Sequence, residues 1–500
     1  MAELSRAQSY TTNSPGGGCQ GIRGGQQMPT DDAGVWRSAG RRRRALFPSR
    51  ALWVSFGAMF RSTLLLAFFC AVLGASACRH SKPSQPKPNK PNSQQNSPKP
   101  TPWVAFQPPA EATPQLHRRW EITVKAGSRA RDDAVVSALL PGIPLVNSAL
   151  VWAPSGASVP SQMQGNGQVA FKAKALKAGT QAIYLAEEKE SAPASGKGGV
   201  LAVQAPDGVK LTIDGKPVLT YQIQRQPVRK DIAPEYWRNG YLHPLYSPAG
   251  VMVTDDYPKD KPCQHGIWSG WQKVESEGSH PNFWDAGLKK GRVGMESVSP
   301  LWGGPFRGGL DSHQFFTDLD LRPGSTILRE GWSVTAFRDA SRAPYFVVDL
   351  QSSQEAMKGQ PILGQNPFGG ITMRGNPDWQ GASHSLFLTS EGQDRAKAQG
   401  EAARWCYLGG KSGGKLAGVA ILSRPQNRKQ PEAVFIDPED PVMGFAPTKN
   451  GPITLRSGEP LKLHYRFVVL DGKPDRKLFD RLWNDFANPP EVEARLLENK

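Results

Sequence analysis

Five hundred residues with 38% hydrophobic side chains and 14 Trp can bury a sizeable core, and the length accommodates two or three domains. The formal charge of +17 argues little for a nucleic-acid partner, because it is unevenly spread: residues 1–77 hold 9 Arg and 3 acids, leaving 52 Lys plus Arg against 41 Asp plus Glu. Part of that remainder lies in a Pro-rich stretch unsuited to recognition, so no nucleic acid is expected.

Residues 1–58 are rich in Gly, Ser and Arg, carry RRRR at Arg41 to Arg44 and show no apolar period, which predicts a disordered or untranslated extension. From Met59 the chain reads MFRSTLLLAFFCAVLGASAC, with one Arg, an apolar run from Leu64 to Leu73 and small residues up to Cys78. That is the layout of a secretory signal over 59–77, with Met59 as the start of translation. Ala75, Ser76, Ala77 and Cys78 resemble a bacterial lipobox, which implies cleavage before Cys78 and lipidation of its thiol. An uncleaved span is disfavoured: the run after Arg61 ends at Ala77, short of the roughly 20 residues a bilayer needs. Residues 78–117 contain SKPSQPKPNKPNSQQNSPKPTP, a solvated, semi-extended tether. The expected localisation is the bacterial cell envelope, lipid-anchored and facing the periplasm or the surface. Only Cys263 and Cys406 remain in the exported body; their spacing is compatible with one disulfide or with two separate thiols.

WEITVKAG, QVAFKAKAL and TQAIYLAEE alternate apolar and polar residues between turn formers, predicting a small β-domain over 118–190, and Ser191 to Gly199 reads as a linker. Over 200–490 a hairpin signal at Asp214 and Gly215 precedes further strands in STILREGWSVTAF, APYFVVDLQSS, KLAGVAILS and LKLHYRFVVLDG. The glycines of SGGKLAGVA make another hairpin. Helical spacing appears only at Leu478, Phe479, Leu482, Trp483 and Phe486. The expected fold is all-β: a large antiparallel β-sandwich preceded by a small β-domain, with a short C-terminal helix.

The densest chemistry lies in Tyr241 to Trp271, YLHPLYSPAGVMVTDDYPKDKPCQHGIWSGW, whose prolines and glycines hold polar groups on short strands and loops. His243 and His265 with Asp255, Asp256 or Asp260 are metal-ligand types, but no H-E-x-x-H is present, and metal and cofactor stay unassigned. Acid–base work on a sugar needs proton donors and acceptors beside aromatic surfaces. His243, His265, Glu277, His313 and Glu330 are the candidate catalytic groups, with Trp268, Trp271 and Trp284 as stacking surfaces and Arg374 as a substrate contact. Each has a structural alternative in core packing or an ion pair. There is no G-x-S-x-G, no G-x-x-x-x-G-K-[ST] and no dinucleotide fingerprint.

Tyr241 to Trp271, EGSHPNFWDAG (Glu277 to Gly287), NPFGGITMRGNPDW (Asn366 to Trp379) and LHYRFVVLDGKPD (Leu463 to Asp475) together resemble the bacterial family catalogued as "methane oxygenase PmoA", over roughly 200–490. The resemblance implies an exported β-rich protein with a supersandwich similar to galactose mutarotases, encoded near sugar-degrading genes. The motif H-P-L-Y-S-P-x-G stands at His243 to Gly250 and D-Y-P-x-D at Asp256 to Asp260. Cys263 lies where relatives continue with a further histidine. In RPQNRKQPEAVFIDP, Asn427, Pro431 and Pro438 match the family pattern, making Asn427 a substrate-binding candidate. Arg424, Phe435 and Asp437 replace an expected His, Arg and His. Three functions follow: an envelope lipoprotein binding or modifying a carbohydrate-derived substrate, in the manner of a mutarotase, lyase or hydrolase; a noncatalytic binding or scaffold protein; and, from the family name, a metal-dependent oxidoreductase.

Overall fold

The computed structural model describes residues 118–497 apart from 133, 143–147, 165–166, 190–197, 226–228, 322–323, 339–343 and 429. The N-terminal extension, the signal, Cys78 and the tether lie outside the described residues, as does most of the linker.

The small domain begins with β1 (Arg119–Lys125), β2 (Ala134–Leu139), β3 (Ser148–Trp152), β4 (Ser161–Met163), β5 (Gln168–Ala173) and β6 (Gln181–Lys189). In β1, Trp120, Ile122 and Val124 alternate inward and meet Val151, Phe171 and Tyr184 in a core of their own, as a period of two requires.

The sandwich is made of two eight-stranded sheets. Its strands are β7 (Val200–Ala205), β8 (Gly208–Ile213), β9 (Lys216–Tyr221), β10 (Leu242–Leu245), β11 (Ile267–Gly270), β12 (Gly291–Trp302), β13 (Arg307–Asp318), β14 (Ser325–Phe337), β15 (Tyr345–Ala356), β16 (Gly370–Arg374), β17 (Ser385–Thr389), β18 (Trp405–Ser412), β19 (Lys415–Ser423), β20 (Val434–Ile436), β21 (Val442–Phe445) and β22 (Leu461–Asp471). One sheet runs β20-β21-β16-β11-β10-β9-β8-β7 and the other β12-β13-β14-β15-β22-β19-β18-β17. Asp214 (φ 51°) and Gly215 (φ 78°) form the expected tight turn between β8 and β9, and Gly413 and Gly414 do so between β18 and β19.

Leu211, Leu242, Ile267, Trp271 and Met373 from the first sheet meet Phe316, Leu328, Trp332, Leu350 and Phe467 from the second in the main core. The second sheet's outer face is covered at one end by α1 (Arg476–Ala487), capped by Asp475, whose Phe479, Leu482 and Phe486 pack on Trp405, Tyr407, Leu422 and Val468. No described helix is long and apolar enough to cross a membrane.

After α1 the chain returns to the small domain. β23 (Glu491–Leu497) pairs antiparallel with β1 from Glu491↔Lys125 to Leu497↔Arg119. The small domain is therefore discontinuous, extending beyond the expected 118–190; the pairing spans more than 360 residues, and a lone seven-residue segment gives no local sign of its partner. Arg131 to Asp485 (3.0 Å) and Arg481 to Asp132 (2.8 Å) tie this domain to α1. Cys406 is a free buried thiol, so the pairing with Cys263 that the spacing permitted does not form. Truncation after Pro490 should expose the β1 edge and cost the small domain about 2 kcal/mol, the scale of one buried Val. Hydrogen exchange should then show faster β1 amides with β13 to β15 unchanged; unaltered β1 protection would contradict the pairing.

Candidate functional site

The segment Tyr241 to Trp271 supplies β10 and β11 of the first sheet and is largely packed, with Tyr241, Tyr257, Cys263 and Trp268 in an apolar cluster apart from the main core. His265 is 2% exposed, its ring 4.6 Å from those of both Tyr241 and Tyr257. Its Nδ1 donates to Asp256 Oδ1 at 2.8 Å, and the Tyr241 hydroxyl donates to Asp256 Oδ2 at 2.8 Å. His243 Nδ1 lies 3.0 Å from Thr254 Oγ1, which also accepts from the Leu245 N–H. Burial pushes both imidazoles below the usual histidine range, for His265 against the pull of Asp256. His265 lines a cleft of about 20 Å³. Among the described residues no group of three or more His, Cys, Asp or Glu is placed to hold a metal ion.

Two roomier spaces lie on the other sheet. They measure about 640 and 700 Å³, share Asp311, Ser333 and Gln351 and form one groove across the outer face of β13, β14, β15 and β22. Cross-strand register builds its floor. Asp311↔Ser333, Ser333↔Gln351 and Gln351↔His464 make one row; His313, Gly331, Ser353 and Lys462 make the next, and Gly309, Thr335, Asp349 and Arg466 the one on the other side. Residues two apart on a strand share a face, so the alternation that sends Glu330, Trp332 and Val334 inward sends Gly331, Ser333 and Thr335 into the groove. Trp302 and Phe337 line one end, Arg424 and Asn427 the other.

A charged network borders this floor. Arg466 grips Asp349 through two hydrogen bonds, Nε to Oδ1 at 2.7 Å and Nη2 to Oδ2 at 2.9 Å, and its guanidinium lies 4.6 Å over the Phe486 ring. Arg424 Nη1 donates to His464 Nδ1 at 2.8 Å. Nδ1 is thus the acceptor and the proton sits on Nε2, 3.6 Å from Asp349 Oδ2. Burial would raise the Asp349 carboxyl, but the Arg466 charge and hydrogen bonds hold it down at about 2. Asp311 and His313 have no carboxylate or cation within ion-pair distance among the described residues, and on one strand they stand about 7 Å apart.

The expected site residues do not converge. His243 and His265 belong to the packed segment, His313 and Asn427 line the groove, and Glu277 sits at φ 48° on an exposed turn paired with Lys358 at 2.6 Å. Glu330 lies between the sheets, hydrogen-bonded by Ser352 and by Gln354, and burial raises its carboxyl. It therefore cannot meet a ligand in the groove. Trp268, Trp271 and Trp284 are 0, 2 and 5% exposed, which corrects their reading as stacking surfaces: they fill cores, Trp271 Nε1 donating to Gln354 Oε1 at 2.9 Å. Arg374 is likewise no substrate contact. It is buried beside Asp255 and Asp440, both at 3.6 Å, and donates to Gln264 and Gln380. The missed groove residues, Asp311, Ser333, Gln351, Lys462 and His464, carry one sequence signal, a long polar face alternating with an apolar one on β13, β14, β15 and β22.

The described residues thus define an antiparallel β-sandwich protein with an open polar groove on one sheet and a filled polar cluster on the other. The chain belongs to the family of unknown function DUF6807, whose model matches residues 208–484, a span that includes every strand of the groove floor and leaves out the small domain. No curated protein matches the chain.

The lowered Asp349 carboxyl sets a pH dependence. A carboxyl held at about 2 when folded, against an ordinary 3.8, contributes its stability above pH 3.8 and loses it as pH falls through 2. The contribution is about 2 kcal/mol. Asp349→Asn should cost about 3 kcal/mol at neutral pH by leaving Arg466 uncompensated. Urea midpoints followed from about pH 5 to about pH 2 should then fall less steeply than in the unaltered protein; parallel profiles would contradict the pairing.

Proposed function

We propose that the groove binds a carbohydrate-derived ligand and modifies it by acid–base chemistry, with Asp311 and His313 as the proton-transferring pair. The observation that carries this reading is the row Asp311, Ser333, Gln351 and His464, which presents carboxylate, hydroxyl, amide and imidazole side by side in an open cavity. Hydroxyl-rich rings need such closely spaced donors and acceptors, and the Trp302 and Phe337 rings supply apolar surface for their C–H faces. Asp311 and His313 stand about 7 Å apart along the strand, a span that brackets one sugar ring. The similarity of residues 200–490 to the PmoA family, with its mutarotase-like fold, supports the same ligand class. The lipobox at Ala75 to Cys78 and the tether support placing the groove at the cell envelope, held to the membrane by lipid.

A noncatalytic binding protein is the second reading, favoured by Arg424 and Asp437 standing where relatives carry histidines. A saccharide panel separates the two: binding should raise the melting temperature, and the binders should be turned over. Asp311→Asn should retain binding and abolish turnover, whereas binding with no turnover by the unaltered protein leaves the noncatalytic role. Gly331 faces the groove, and a Cβ there meets only the His313 ring, at 3.5 Å. Gly331→Leu should therefore fold normally, fill the floor and weaken binding at least tenfold, about 1.4 kcal/mol. No response to any saccharide would sink the carbohydrate reading.

A further inference from the structure

Arg307 begins β13 in the same outward file as Gly309, Asp311 and His313, and lines the larger of the two spaces with Gln162, Gln164 and Gln168 of the small domain. Its place is fixed from both domains. Gln162 Nε2 donates to the Arg307 carbonyl at 2.9 Å and its Oε1 accepts from the Phe306 and Arg307 N–H groups, both at 3.3 Å. Arg307 Nη2 donates to Ser137 Oγ at 2.9 Å. Gly304 permits this approach, since a Cβ there would lie 2.3 Å from the Gln162 amide carbon.

What this guanidinium lacks is a counter-charge. No acidic group lies within ion-pair distance of it among the described residues, and its Nε is shielded from solvent with no hydrogen-bond partner. Arg466, on the same sheet face, already has Asp349. Asp311 is four residues away along an extended strand, about 13 Å, beyond a Debye length at physiological salt. Burial alone pushes the Arg307 guanidinium down to about 10, so it stays charged at neutral pH at a desolvation cost that a ligand anion would offset.

We infer that the groove selects acidic saccharides, and that Arg307, held in place by the small domain, seats the carboxylate or sulfate of the ligand. This rests on the carbohydrate reading of the same groove and adds its charge. It also gives the small domain a role: Gln162 and Ser137 set the anion seat, with Gln164 and Gln168 lining the wall beside it. The remaining polar floor then meets hydroxyls.

Titration calorimetry on the purified full chain, at low and high salt, with length-matched neutral, uronate and sulfated oligosaccharides tests this. At low salt one or both acidic ligands should bind about tenfold or more tightly than the neutral one, with the gap shrinking in high salt. Arg307→Gln should abolish the preference and leave neutral binding unchanged, while Arg307→Lys should keep much of it. Whichever acidic ligand binds tells carboxylate from sulfate. Equal affinity for neutral and acidic ligands overturns the inference and leaves the carbohydrate reading standing. So does an acidic preference that survives Arg307→Gln, or acidic binding that Gly331→Leu does not weaken, since the anion then lies elsewhere. If Arg307→Gln does not fold, the charge preference and salt dependence of the unaltered chain decide. Failure of every sugar to bind removes both readings.

Discussion

The register between β13, β14, β15 and β22 is the constraint on which the rest depends. Each strand has one face against the other sheet and one toward the groove, so a slip of one residue would exchange the faces. Moving β14 by one position against its neighbours would bring Trp332 and Val334 out and drive Ser333 and Thr335 into an apolar core. Trp332, Val334 and Leu350, all essentially unexposed, therefore hold the groove rows in line from behind. The groove is the reverse side of the core, and its spacing is inherited from packing.

That arrangement separates two uses of charge. Between the sheets, Glu330 is held by Ser352 and Gln354, and burial favours its neutral form. On the outer face, Asp349 remains ionised because Arg466 reaches it with both arms of the guanidinium, and Phe486 of α1 shields that cation from one side. The same helix end touches the His464 ring at 4.6 Å, so α1 fixes the histidine as well as closing the sheet. The short C-terminal helix thus backs one wall of the groove through Phe486, while the small domain lines the opposite one through Gln162.

Strand alternation, the two turn signals and the helical spacing of Leu478 to Phe486 are local, and local patterns made the architecture legible. The pairing of β23 with β1 was not, because nothing in Glu491 to Leu497 names a partner so far back in the chain. For the site, the density of histidines, acids and tryptophans in Tyr241 to Trp271 pointed to the first sheet, where these groups are packed, and not to the groove on the second. Composition cannot tell a polar cluster that faces a ligand from one whose members satisfy each other. His265 with Asp256 and Tyr241, and Arg374 with Asp255, Asp440 and two glutamines, are of the second kind. The groove residues are scattered singly along four strands, and only register brings them together.

The four residues that differ from what the PmoA-like resemblance implies divide between the same two places. At the filled cluster, Phe435 stands where an Arg is expected and packs its ring 5.3 Å from Phe368 and 6.2 Å from Trp284. Cys263 is buried in the same apolar group, and Asp437 caps the turn to Glu439 and Asp440, whose carboxylate meets Lys261. Phe435 thus serves packing and Asp437 turn formation. Arg424 is different, because it replaces an expected histidine inside the groove and donates to His464 Nδ1. The hydrogen bond fixes the tautomer of His464 and adds a cation to the wall. Phe435 and Asp437 thus belong to a closed region, whereas Arg424 belongs to the open one. With Arg307 lining the other space, a guanidinium stands at each end of the polar floor.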